Sequence, residues 1–359
     1  MEQLKPADHF DLAVIGVGII GATTAYLAHQ KQPNWRLLLV DRSFVASGAT
    51  YYSAGLDIPY GGTPAQQRYS RLSTRIYRKL AYALPDLPIY QVPFFGIVGK
   101  QTMTEFRKRF TTRTVRIATR FEEDQLRRTY PDLTISDDQV LLTGCMAQYS
   151  FPATVASKLV GNLTDTGAAE CWEGVEIVSI DNRDGGFVLT TSDGRTVSAL
   201  RVVTATGPWM LDVPAGSFAK SEGVRIKKIV ALHASHRSLP NDPVLFFLDD
   251  DAFILPIYQR QEWLFSFTSQ EWDCTPEISR LRITGADRDL ALSILNRYCP
   301  SIVPLCHGGR VFCDAYSHDR VPLVAQVPGV PNFVVAGACS GSGYRLAPGI
   351  AIEALKRLS

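Results

Sequence analysis

The segment from Asp11 to Asp41 constrains the fold of this chain more than any other stretch. An apolar run at residues 12–15 has the length and β-branched content of a buried strand. It leads into Gly16-Val-Gly-Ile-Ile-Gly21, which is followed by a small-residue helix and a second apolar run that ends at Asp41. Strand, glycine turn, helix and strand in this order predict the βαβ unit of a dinucleotide-binding fold.

Each glycine of this motif has a separate physical reason. Gly16 permits a tight turn off the strand, Gly18 lets backbone approach a pyrophosphate, and Gly21 lets the helix lie close on the sheet. The helix N-terminus offers free N–H groups and the positive end of its dipole to the phosphates. Asp41, at the tip of the next strand, is positioned to accept hydrogen bonds from a ribose diol.

Length and composition limit the remaining possibilities. A chain of 359 residues predicts two domains, and 46% hydrophobic with 20% charged residues is typical of a soluble globular protein. A net charge of +2 argues against nucleic acid or an anionic surface as a partner. The polar N-terminus lacks a secretory signal, and the uncharged run at 12–28 is short for a membrane span. We therefore expect a cytoplasmic protein without a membrane span.

Three further features have plain structural interpretations. The seven cysteines form no CxxC, which indicates reduced thiols and no metal site. The acidic run Asp249–Asp251 is interpreted as a hairpin turn rather than a metal loop. A basic segment is interpreted as a solvated helix rather than a nucleic-acid surface, because no aromatic platform accompanies it. Its predicted helical face carries Arg109, Arg113, Arg116 and Arg120.

The second half of the chain supplies strands and another glycine-rich junction. Residues 223–268 read as successive strands, and the strand at 201–205 stops at a glycine, as at the edge of a parallel sheet. A last buried strand at 331–337 runs into a glycine-rich segment, and residues 350–358 are predicted to form the closing helix. A helix N-terminus aimed at an electron-rich part of a cofactor would explain this second junction.

The order of these motifs resembles the FAD-dependent D-amino-acid oxidase family, in the branch that contains glycine oxidase and sarcosine oxidase. The likeness covers nearly the whole chain and rests on GVGIIG, Asp41, Ser47-Gly-Ala-Thr50, Ala205-Thr-Gly-Pro-Trp209 and a terminal Gly341-Ser-Gly-Tyr-Arg-Leu-Ala-Pro348. It implies a mixed α/β fold in which a Rossmann-type FAD-binding domain is interleaved with a substrate domain built on a large, mostly antiparallel sheet. We expect the FAD-binding domain at 1–85, 140–215 and 310–359, and the substrate domain at 86–139 and 216–309.

The resemblance implies that each motif contributes residues to an FAD site. Ser47 and Thr50 would lie along the pyrophosphate and flavin, and Val175 would frame the adenine. Arg345 would stabilise the negative charge that builds at N1–C2 of the flavin, where sarcosine oxidase-like members carry a lysine. The full set is Gly16, Gly18, Ile19, Ile20, Gly21, Asp41, Arg42, Ser47, Gly48, Ala49, Thr50, Ser53, Ala54, Gly55, Val175, Ala205, Thr206, Gly207, Trp209, Gly341, Ser342, Gly343, Tyr344 and Arg345.

The substrate side departs from the family pattern. Relatives often hold a substrate carboxylate with an arginine in one of two places, and here Asp57 and Asp314 stand near those places. Two acids argue against a plain amino acid held by a bidentate arginine, and favour a substrate with a positive charge or extra hydroxyls. Arg310 or Arg320 taking over the role of that arginine is the alternative. The other candidate catalytic or substrate contacts, besides Arg345, are Tyr60, Tyr316 and His318.

Two relationships to the flavin stay open at this point. Some members attach flavin through a cysteine near Cys313, and the alternative for this residue is a buried thiol. Sarcosine oxidase-like members also keep a lysine that aids the reaction with oxygen, and the equivalent stretch at 257–270 has none. Reaction with oxygen is therefore less firmly expected than oxidation of the substrate.

The function expected from the resemblance is oxidation of an amine or amino acid by FAD. A hydride would pass from the carbon next to nitrogen to the flavin, the imine would hydrolyse, and oxygen or another acceptor would take the electrons. The alternatives are an NAD-linked dehydrogenase and a flavin-binding subunit without its own turnover. The sequence leaves the substrate and the oligomeric state open.

Overall fold

The computed structural model describes residues 9–183 and 185–358. The helices are α1 Ile19–Lys31, α2 Ala49–Tyr52, α3 Pro64–Ala83, α4 Met103–Arg109, α5 Arg120–Thr129, α6 Pro152–Asp165, α7 Gly216–Ser221, α8 Gly285–Tyr298 and α9 Gly343–Lys356. The strands are β1 His9–Phe10, β2 Leu12–Ile15, β3 Leu37–Val40, β4 Leu56–Asp57, β5 Ile89–Gly99, β6 Arg116–Ile117, β7 Gln139–Thr143, β8 Met146–Ser150, β9 Ala169–Trp172, β10 Ile177–Arg183, β11 Gly186–Thr191, β12 Thr196–Ala199, β13 Val202–Thr204, β14 Arg225–Ala234, β15 Val244–Phe247, β16 Ala252–Ile257, β17 Glu262–Phe267, β18 Cys306–Tyr316, β19 Leu323–Gln326 and β20 Phe333–Gly337.

A six-stranded sheet carries the predicted βαβ unit. Its order is β19-β20-β13-β2-β3-β9, and every neighbouring pair is parallel except β19 with β20. All residues of β2 and β3 are buried, as expected for a sheet covered on both faces. The Rossmann-type arrangement predicted from residues 11–41 is confirmed.

Alternate residues of the central strands enter two different cores. Leu12 and Val14 pack with α1, α6 and α9 on one face of the six-stranded sheet. Ala13 and Ile15 pack on the other face against a four-stranded sheet of order β1-β12-β11-β10. This alternation follows from the twofold period of a strand. These helices thus lie on one side of the nucleotide sheet, and on the other lies a small sheet that is antiparallel except for the pair β1 and β12.

The largest sheet of the molecule has ten strands. Its path is β18-β14-β17-β16-β15-β5-β7-β6, with β8 joined to β5 and β4 joined to β8. The pairs along it are antiparallel except for β15 with β5. The strands predicted across 223–268 are confirmed. The boundary expected at residue 310 falls inside β18, which pairs with β14 along its length.

Two local predictions were wrong. The four arginines do not share a helical face, because α4 ends at Arg109, Arg116 lies in β6, and Arg120 begins α5 after a Thr119–Glu122 capping box. The closing helix also begins at Gly343 rather than at residue 350. Within the described part of the chain, no helix combines the length and apolar character needed to span a bilayer.

Helix α9 continues through Pro348 because α3 satisfies the backbone groups that the proline disturbs. A proline inside a helix leaves the carbonyl four residues earlier without its N–H partner. Here that carbonyl belongs to Tyr344, and it accepts a hydrogen bond from the Tyr77 hydroxyl at 2.5 Å. The N–H of Gly349 donates to Ser73 Oγ at 2.9 Å. These two buried contacts fix the start of α9, which carries Arg345.

Candidate active site

A cavity of about 580 Å³ runs from the carboxyl end of the nucleotide sheet to one face of the ten-stranded sheet. Its first wall is formed by the start of α1, the loop at 41–55, residues 205–209 and the glycine-rich segment at 337–345. Its second wall is formed by strands β14–β18 and residues 276–279. The motifs that are far apart in sequence thus meet along one continuous space.

At the nucleotide end, glycines let backbone segments approach each other closely. Gly16 has a φ of +88°, and a Cβ added there would lie 2.6 Å from the Ala205 carbonyl oxygen. Gly18 caps α1, and a Cβ there would lie 2.9 Å from Thr50 Oγ1. Gly21 lies one turn into α1, where a Cβ would meet the carbonyl of Gly16 at 2.0 Å. Any larger residue at these positions displaces backbone or the Thr50 hydroxyl.

The Asp41 carboxylate is held at the tip of β3 by backbone donors. Val17 N donates to Oδ2 at 2.8 Å and Ser43 N donates to Oδ1 at 2.9 Å. Burial raises the pKa of Asp41, and these two hydrogen bonds oppose the rise. A carboxylate has about four acceptor positions. The remaining ones face the cavity, in whose wall Asp41 and Val175 lie side by side, with Val175 N bonded to Asp41 O at 3.0 Å.

The loop at 42–55 is packed against α1 and Trp209. Ile19 N donates to Thr50 Oγ1 at 3.0 Å. Gly48 lies under the Trp209 ring, where a Cβ would approach to 2.8 Å, and the Arg42 guanidinium lies 4.3 Å from the ring centroid. Cation–π contacts of this kind are worth about 0.5–1 kcal/mol when exposed. The cavity wall here also includes Ile20, Ser47, Ala49, Ser53, Ala54, Gly55, Thr206 and Gly207.

The glycine-rich segment before α9 is tied to β18. Ser340 N donates to Ala315 O at 3.1 Å, and Gly341 N donates to Asp314 Oδ2 at 2.9 Å. Ala338 and Ser340 have φ values of +51° and +52°, which non-glycine residues adopt infrequently. The segment therefore has a fixed, strained path that ends at the N-terminus of α9, where Ser342, Gly343 and Tyr344 complete the wall.

Arg345 lies in the first turn of α9 with part of its donor capacity unused. Its Nη2 donates to Ser342 Oγ at 2.6 Å, and its Nε is buried with no partner among the described residues. Burial lowers the pKa of Arg345, and the negative charges of Asp57 and Asp251 oppose this. The guanidinium carbon is 5.8 Å from the Tyr60 ring centroid. This is a fixed cation at the junction of the two walls.

Asp57 and Tyr60 lie behind Arg345 rather than on the cavity surface formed by the described residues. Asp57 is 4% exposed and accepts from Gln148 Nε2 at 2.8 Å. Burial raises the pKa of Asp57 to about 7, although the charge of Arg345 and the Gln148 bond act against the rise. The Tyr60 hydroxyl accepts from Arg109 at 3.3 Å. The structure therefore brings both residues to Arg345 but not to the cavity.

Strand alternation on β18 separates cavity residues from core residues. Phe312, Asp314 and Tyr316 lie on the cavity wall. Cys313 points to the opposite face, where it is 2% exposed in a core with Met210 and its Sγ lies 3.9 Å from Thr275 O. Burial raises the pKa of the Cys313 thiol to about 12. This geometry favours the buried-thiol alternative over covalent attachment of a flavin.

The remaining candidates from the sequence lie elsewhere. His318 packs against Gly223, away from the cavity. Arg310 donates to the carbonyls of Tyr52 at 3.3 Å and Ser53 at 3.2 Å, and to His233 Nε2 at 3.1 Å. Arg320 is exposed. Among the described residues that line the cavity, neither arginine is present.

Sequence reasoning missed the side chains that lie on or beside β14, β16 and β17 at the cavity. Asp251, just before β16, and Thr268, just after β17, line the cavity and are joined by a hydrogen bond of 2.9 Å. Lys227 of β14 is buried beside the cavity, with its Nζ 4.7 Å from the Trp272 ring and 5.2 Å from the Tyr316 ring. Burial lowers the pKa of Lys227, and Asp251 opposes this. The alternation Lys227, Ile229, Ala231 was the available signal for this face.

The three aspartates of the acidic hairpin at 249–251 face three different surroundings. Asp249 accepts from Gly99 N at 2.7 Å, and Asp250 pairs with Arg297 at 3.0 Å. Asp251 faces the cavity. No group of three or more potential metal ligands was found within the described parts of the chain.

A nucleotide cradle that opens onto a large antiparallel sheet defines a two-part dinucleotide-dependent oxidoreductase. The chain belongs to the FAD dependent oxidoreductase (DAO) family, which it matches over residues 11–357. It is therefore an FAD-dependent oxidoreductase, as the sequence predicted, and the NAD-linked alternative is set aside.

Solved structures share the fold along nearly the whole chain. Glycine oxidase from Geobacillus kaustophilus is 18% identical with a TM-score of 0.78, covering 98% of this chain and 96% of that one. L-proline dehydrogenase from P. horikoshii is 16% identical with a TM-score of 0.80, covering 96% and 91%. L-α-glycerophosphate oxidase from Mycoplasma pneumoniae with FAD bound is 15% identical with a TM-score of 0.77, covering 98% and 94%. None of the curated proteins matches the sequence.

The cavity residues fit FAD. Helix α1 has Gly18 as its N-cap, and no acid lies in its first turn. Ile19 N donates to Thr50 Oγ1, and the positive end of the helix dipole meets the cavity without a neutralising acid in that turn. Thr206 Oγ1 and Arg345 Nε, both on the first wall, are buried without partners in the described part of the molecule. A pyrophosphate and a flavin ring would supply acceptors for these groups.

Proposed function

We propose that the chain oxidises an amine with FAD, removing a hydride from the carbon next to nitrogen. The observation that supports this most is the continuity of the cavity from Asp41 to the face of the ten-stranded sheet, with Arg345 at the junction. A dinucleotide laid along the first wall would end beside Arg345 and leave the second wall for a substrate. The imine formed would hydrolyse to a carbonyl compound and an amine or ammonia.

The proposed FAD site uses backbone more than side chains. Gly16, Gly18 and Gly21 would hold the pyrophosphate at the α1 N-terminus, and Asp41 would bind the ribose diol. The remaining proposed contacts are Ile19, Ile20, Arg42, Ser47, Gly48, Ala49, Thr50, Ser53, Ala54, Gly55, Val175, Ala205, Thr206, Gly207, Trp209, Gly341, Ser342, Gly343, Tyr344 and Arg345. These positions support the proposed interleaved FAD-binding domain.

The bound flavin supplies the acceptor for the hydride, and this chain orients the reactants around it. Arg345, with the α9 N-terminus behind it, places positive charge where the flavin gains electrons. The ionised form of Asp57, whose pKa burial raises to about 7, attracts this cation. The Phe312, Phe253 and Phe246 rings exclude water from the second wall. An amine must lose its proton before hydride transfer, and the cavity-facing carboxylates Asp251 and Asp314 are available acceptors.

The structural neighbours support the class of chemistry without fixing the substrate. Two of these neighbours are named for amino acids, glycine and L-proline, whereas the third is named for L-α-glycerophosphate. Asp251 and Asp314 on the substrate wall favour the amine, because carboxylates attract a cation and offer a place for its proton. The same two carboxylates would repel the phosphate of an alcohol phosphate.

The visible spectrum of the purified protein, before and after acid precipitation, is the first test. We expect flavin bands that move to the supernatant as FAD, followed by anaerobic bleaching with members of an amine panel. Parallel measurements of oxygen uptake and dye reduction identify the electron acceptor. Bound FAD that no amine bleaches would contradict amine oxidation and favour a flavin-binding subunit.

A further inference from the structure

We infer that the substrate of this site is a cationic amine with an aromatic or otherwise apolar body and no carboxylate, selected by Asp251 and Asp314. This inference rests on the proposed amine oxidation and names the substrate class. It follows from the distribution of charge over the cavity, from the partners that each charged group already has, and from the surfaces between them.

The two walls of the cavity differ in the charges they carry. The first wall combines the cations Arg42, at the Trp209 ring, and Arg345, at the flavin end, with the acids Asp41 and Glu176 at the nucleotide end. On the wall formed by β14–β18 and residues 276–279, the described lining residues include three acids and no lysine or arginine. The acids are Asp251, Glu277 and Asp314. Glu277 is paired with Arg280, and buried Lys227 interacts with Asp251 from beside the wall. Asp251 and Asp314 are therefore the acids that a substrate seated on this wall would meet.

Asp251 faces the cavity because of the register of the hairpin. It immediately precedes β16, has a φ of +48°, and its Oδ2 accepts a hydrogen bond from Thr268 Oγ1 at 2.9 Å. Thr268 itself follows β17 on the neighbouring strand, so both side chains project from the same edge. The preceding acids Asp249 and Asp250 are bound to Gly99 and Arg297. Asp251 is therefore the acid of this hairpin that is left for a ligand.

Asp314 presents a second carboxylate deeper in the cavity. Ala315 N and Gly341 N donate to its two oxygens at 2.9 Å each. These bonds fix its orientation and leave further acceptor positions on both oxygens. Burial raises the pKa of Asp314 to about 6, and the two backbone hydrogen bonds oppose the rise. A cationic ligand beside this carboxyl group would stabilise its ionised form at short range.

Between the two acids the wall is aromatic. The Phe246 and Phe253 rings stack 5.5 Å apart at 28°, and Phe312 stacks with Tyr52 at 5.9 Å and 20°. Phe253 lies opposite Ser266 in the register of β16 and β17, and Ser266 lies opposite the small residue Ala231. Aromatic faces bind apolar groups by contact area and cations by their quadrupole. This surface suits an aryl or alkyl amine.

The two arginines nearest the cavity are poorly placed for a substrate carboxylate on the second wall. Arg310 donates to two backbone carbonyls and to His233, and it is absent from the cavity lining formed by the described residues. Arg345 belongs to the first wall, and it interacts with the negative charges of Asp57 and Asp251. A carboxylate on the second wall would lie near Asp251 and Asp314, and buried like charges repel strongly.

Matched pairs of probes test the inference on the FAD-loaded enzyme. Benzylamine is compared with both enantiomers of phenylglycine, and phenethylamine with both enantiomers of phenylalanine, by anaerobic bleaching of the flavin. Each pair differs in the carboxylate alone. We expect the amine of each pair to bleach the flavin with a half-saturating concentration at least about tenfold lower than its carboxylated partner.

Variants then assign the selection to the two acids. In Asp251→Asn and Asp314→Asn the half-saturating concentration for the amine is expected to rise about tenfold, while that for the carboxylated partner falls. Asp250→Asn, on the same hairpin but facing Arg297, is the matched control. We expect it to leave unchanged the ratio of the half-saturating concentrations of the amine and of its carboxylated partner. FAD content and melting temperature are measured for each variant, so that a folding defect is recognised separately.

The outcomes distinguish this inference from the proposed function. Bleaching by phenylglycine or phenylalanine in preference to the matched amines would overturn the inference and leave amine oxidation standing. Preference for the amines that is unchanged in Asp251→Asn and Asp314→Asn would overturn the assignment to these acids. Bleaching by no amine or amino acid at all would overturn the proposed function itself.

Discussion

At the nucleotide end of the cavity the wall is made of backbone, whereas at the sheet end it is made of side chains. Gly16, Gly18 and Gly48 are there so that main chains and the Trp209 ring come close. Phe253 and Asp314, by contrast, reach the cavity only because strand register turns them toward it. One end therefore depends on where Cβ atoms are absent, and the other on which side chains a sheet face presents.

This difference has a functional consequence. A backbone site recognises what all ligands of a class share, such as a pyrophosphate, and tolerates little change in its own sequence. A side-chain site on a sheet face changes with each substitution while the fold persists. We expect variants at the first end to lose the cofactor and variants at the second to change the substrate.

Gly18→Val is expected to have the largest effect. The added side chain would displace Thr50 Oγ1 and occupy the space in front of the α1 N-terminus. We expect FAD to bind about a thousandfold more weakly, which corresponds to about 4 kcal/mol, as measured by FAD titration followed by flavin fluorescence. Gly161→Ala in α6, where the added methyl meets open space, is the control. Equal FAD affinity in both variants would contradict a backbone-defined nucleotide site.

Arg345→Met tests the junction between the two ends. Loss of the cation is expected to slow anaerobic flavin reduction about a hundredfold, or about 2.7 kcal/mol in the barrier, because charge building on the flavin loses its partner. Arg345→Lys keeps a positive charge and is expected to recover most of the rate. A stopped-flow comparison of the two variants checks this. If the methionine variant reduces flavin as fast as the lysine variant, Arg345 acts by packing rather than by charge.

The contrast between the two ends also explains what the sequence predicted. GVGIIG, Asp41 and the glycines before α9 are local motifs whose spacing alone indicates a turn, a close approach or a helix start. The substrate wall has no such spacing, because Asp251, Thr268 and Asp314 reach one cavity through the register of four strands, β16, β17, β14 and β18. The start of α9 was misplaced for a related reason, since Pro348 stops a helix unless a distant side chain, here Tyr77, satisfies the freed carbonyl.

Phe253→Ala tests the substrate end alone. Removing the ring leaves Phe246 without its stacking partner and opens the wall to water. We expect the half-saturating concentration of an aromatic amine to rise about tenfold, or about 1.4 kcal/mol, with FAD affinity unchanged. Phe121→Ala, at a ring exposed on α5, is the control. If the affinity for FAD fell as much as the affinity for the amine, the two ends of the cavity would not act independently.

Asp57→Asn is expected to give the smallest effect, on stability rather than affinity. Burial raises the pKa of Asp57 to about 7. The folded chain therefore holds this proton more tightly than the unfolded chain, so the stabilisation is complete below about pH 4 and is lost as the pH rises through 7. Between pH 5 and pH 8 the parent protein is expected to lose about 5 °C more in melting temperature than the variant.

Differential scanning calorimetry at the two pH values measures this difference, and Asp86→Asn, at an exposed position, is the control. The asparagine variant keeps the Gln148 contact but carries no titrating group at this position. An identical pH dependence in the parent and in Asp57→Asn would mean that Asp57 is charged in the folded protein throughout this range, as a close partner of Arg345.

The most direct test of the account is the anaerobic bleaching rate of the FAD-loaded protein with its fastest amine, compared with the same amine carrying deuterium on the carbon next to nitrogen. The account predicts slower bleaching with the deuterated amine, and a carbonyl compound and an amine or ammonia as products. Bleaching at the same rate with both, or products in which that carbon is unchanged, would contradict hydride removal from this carbon.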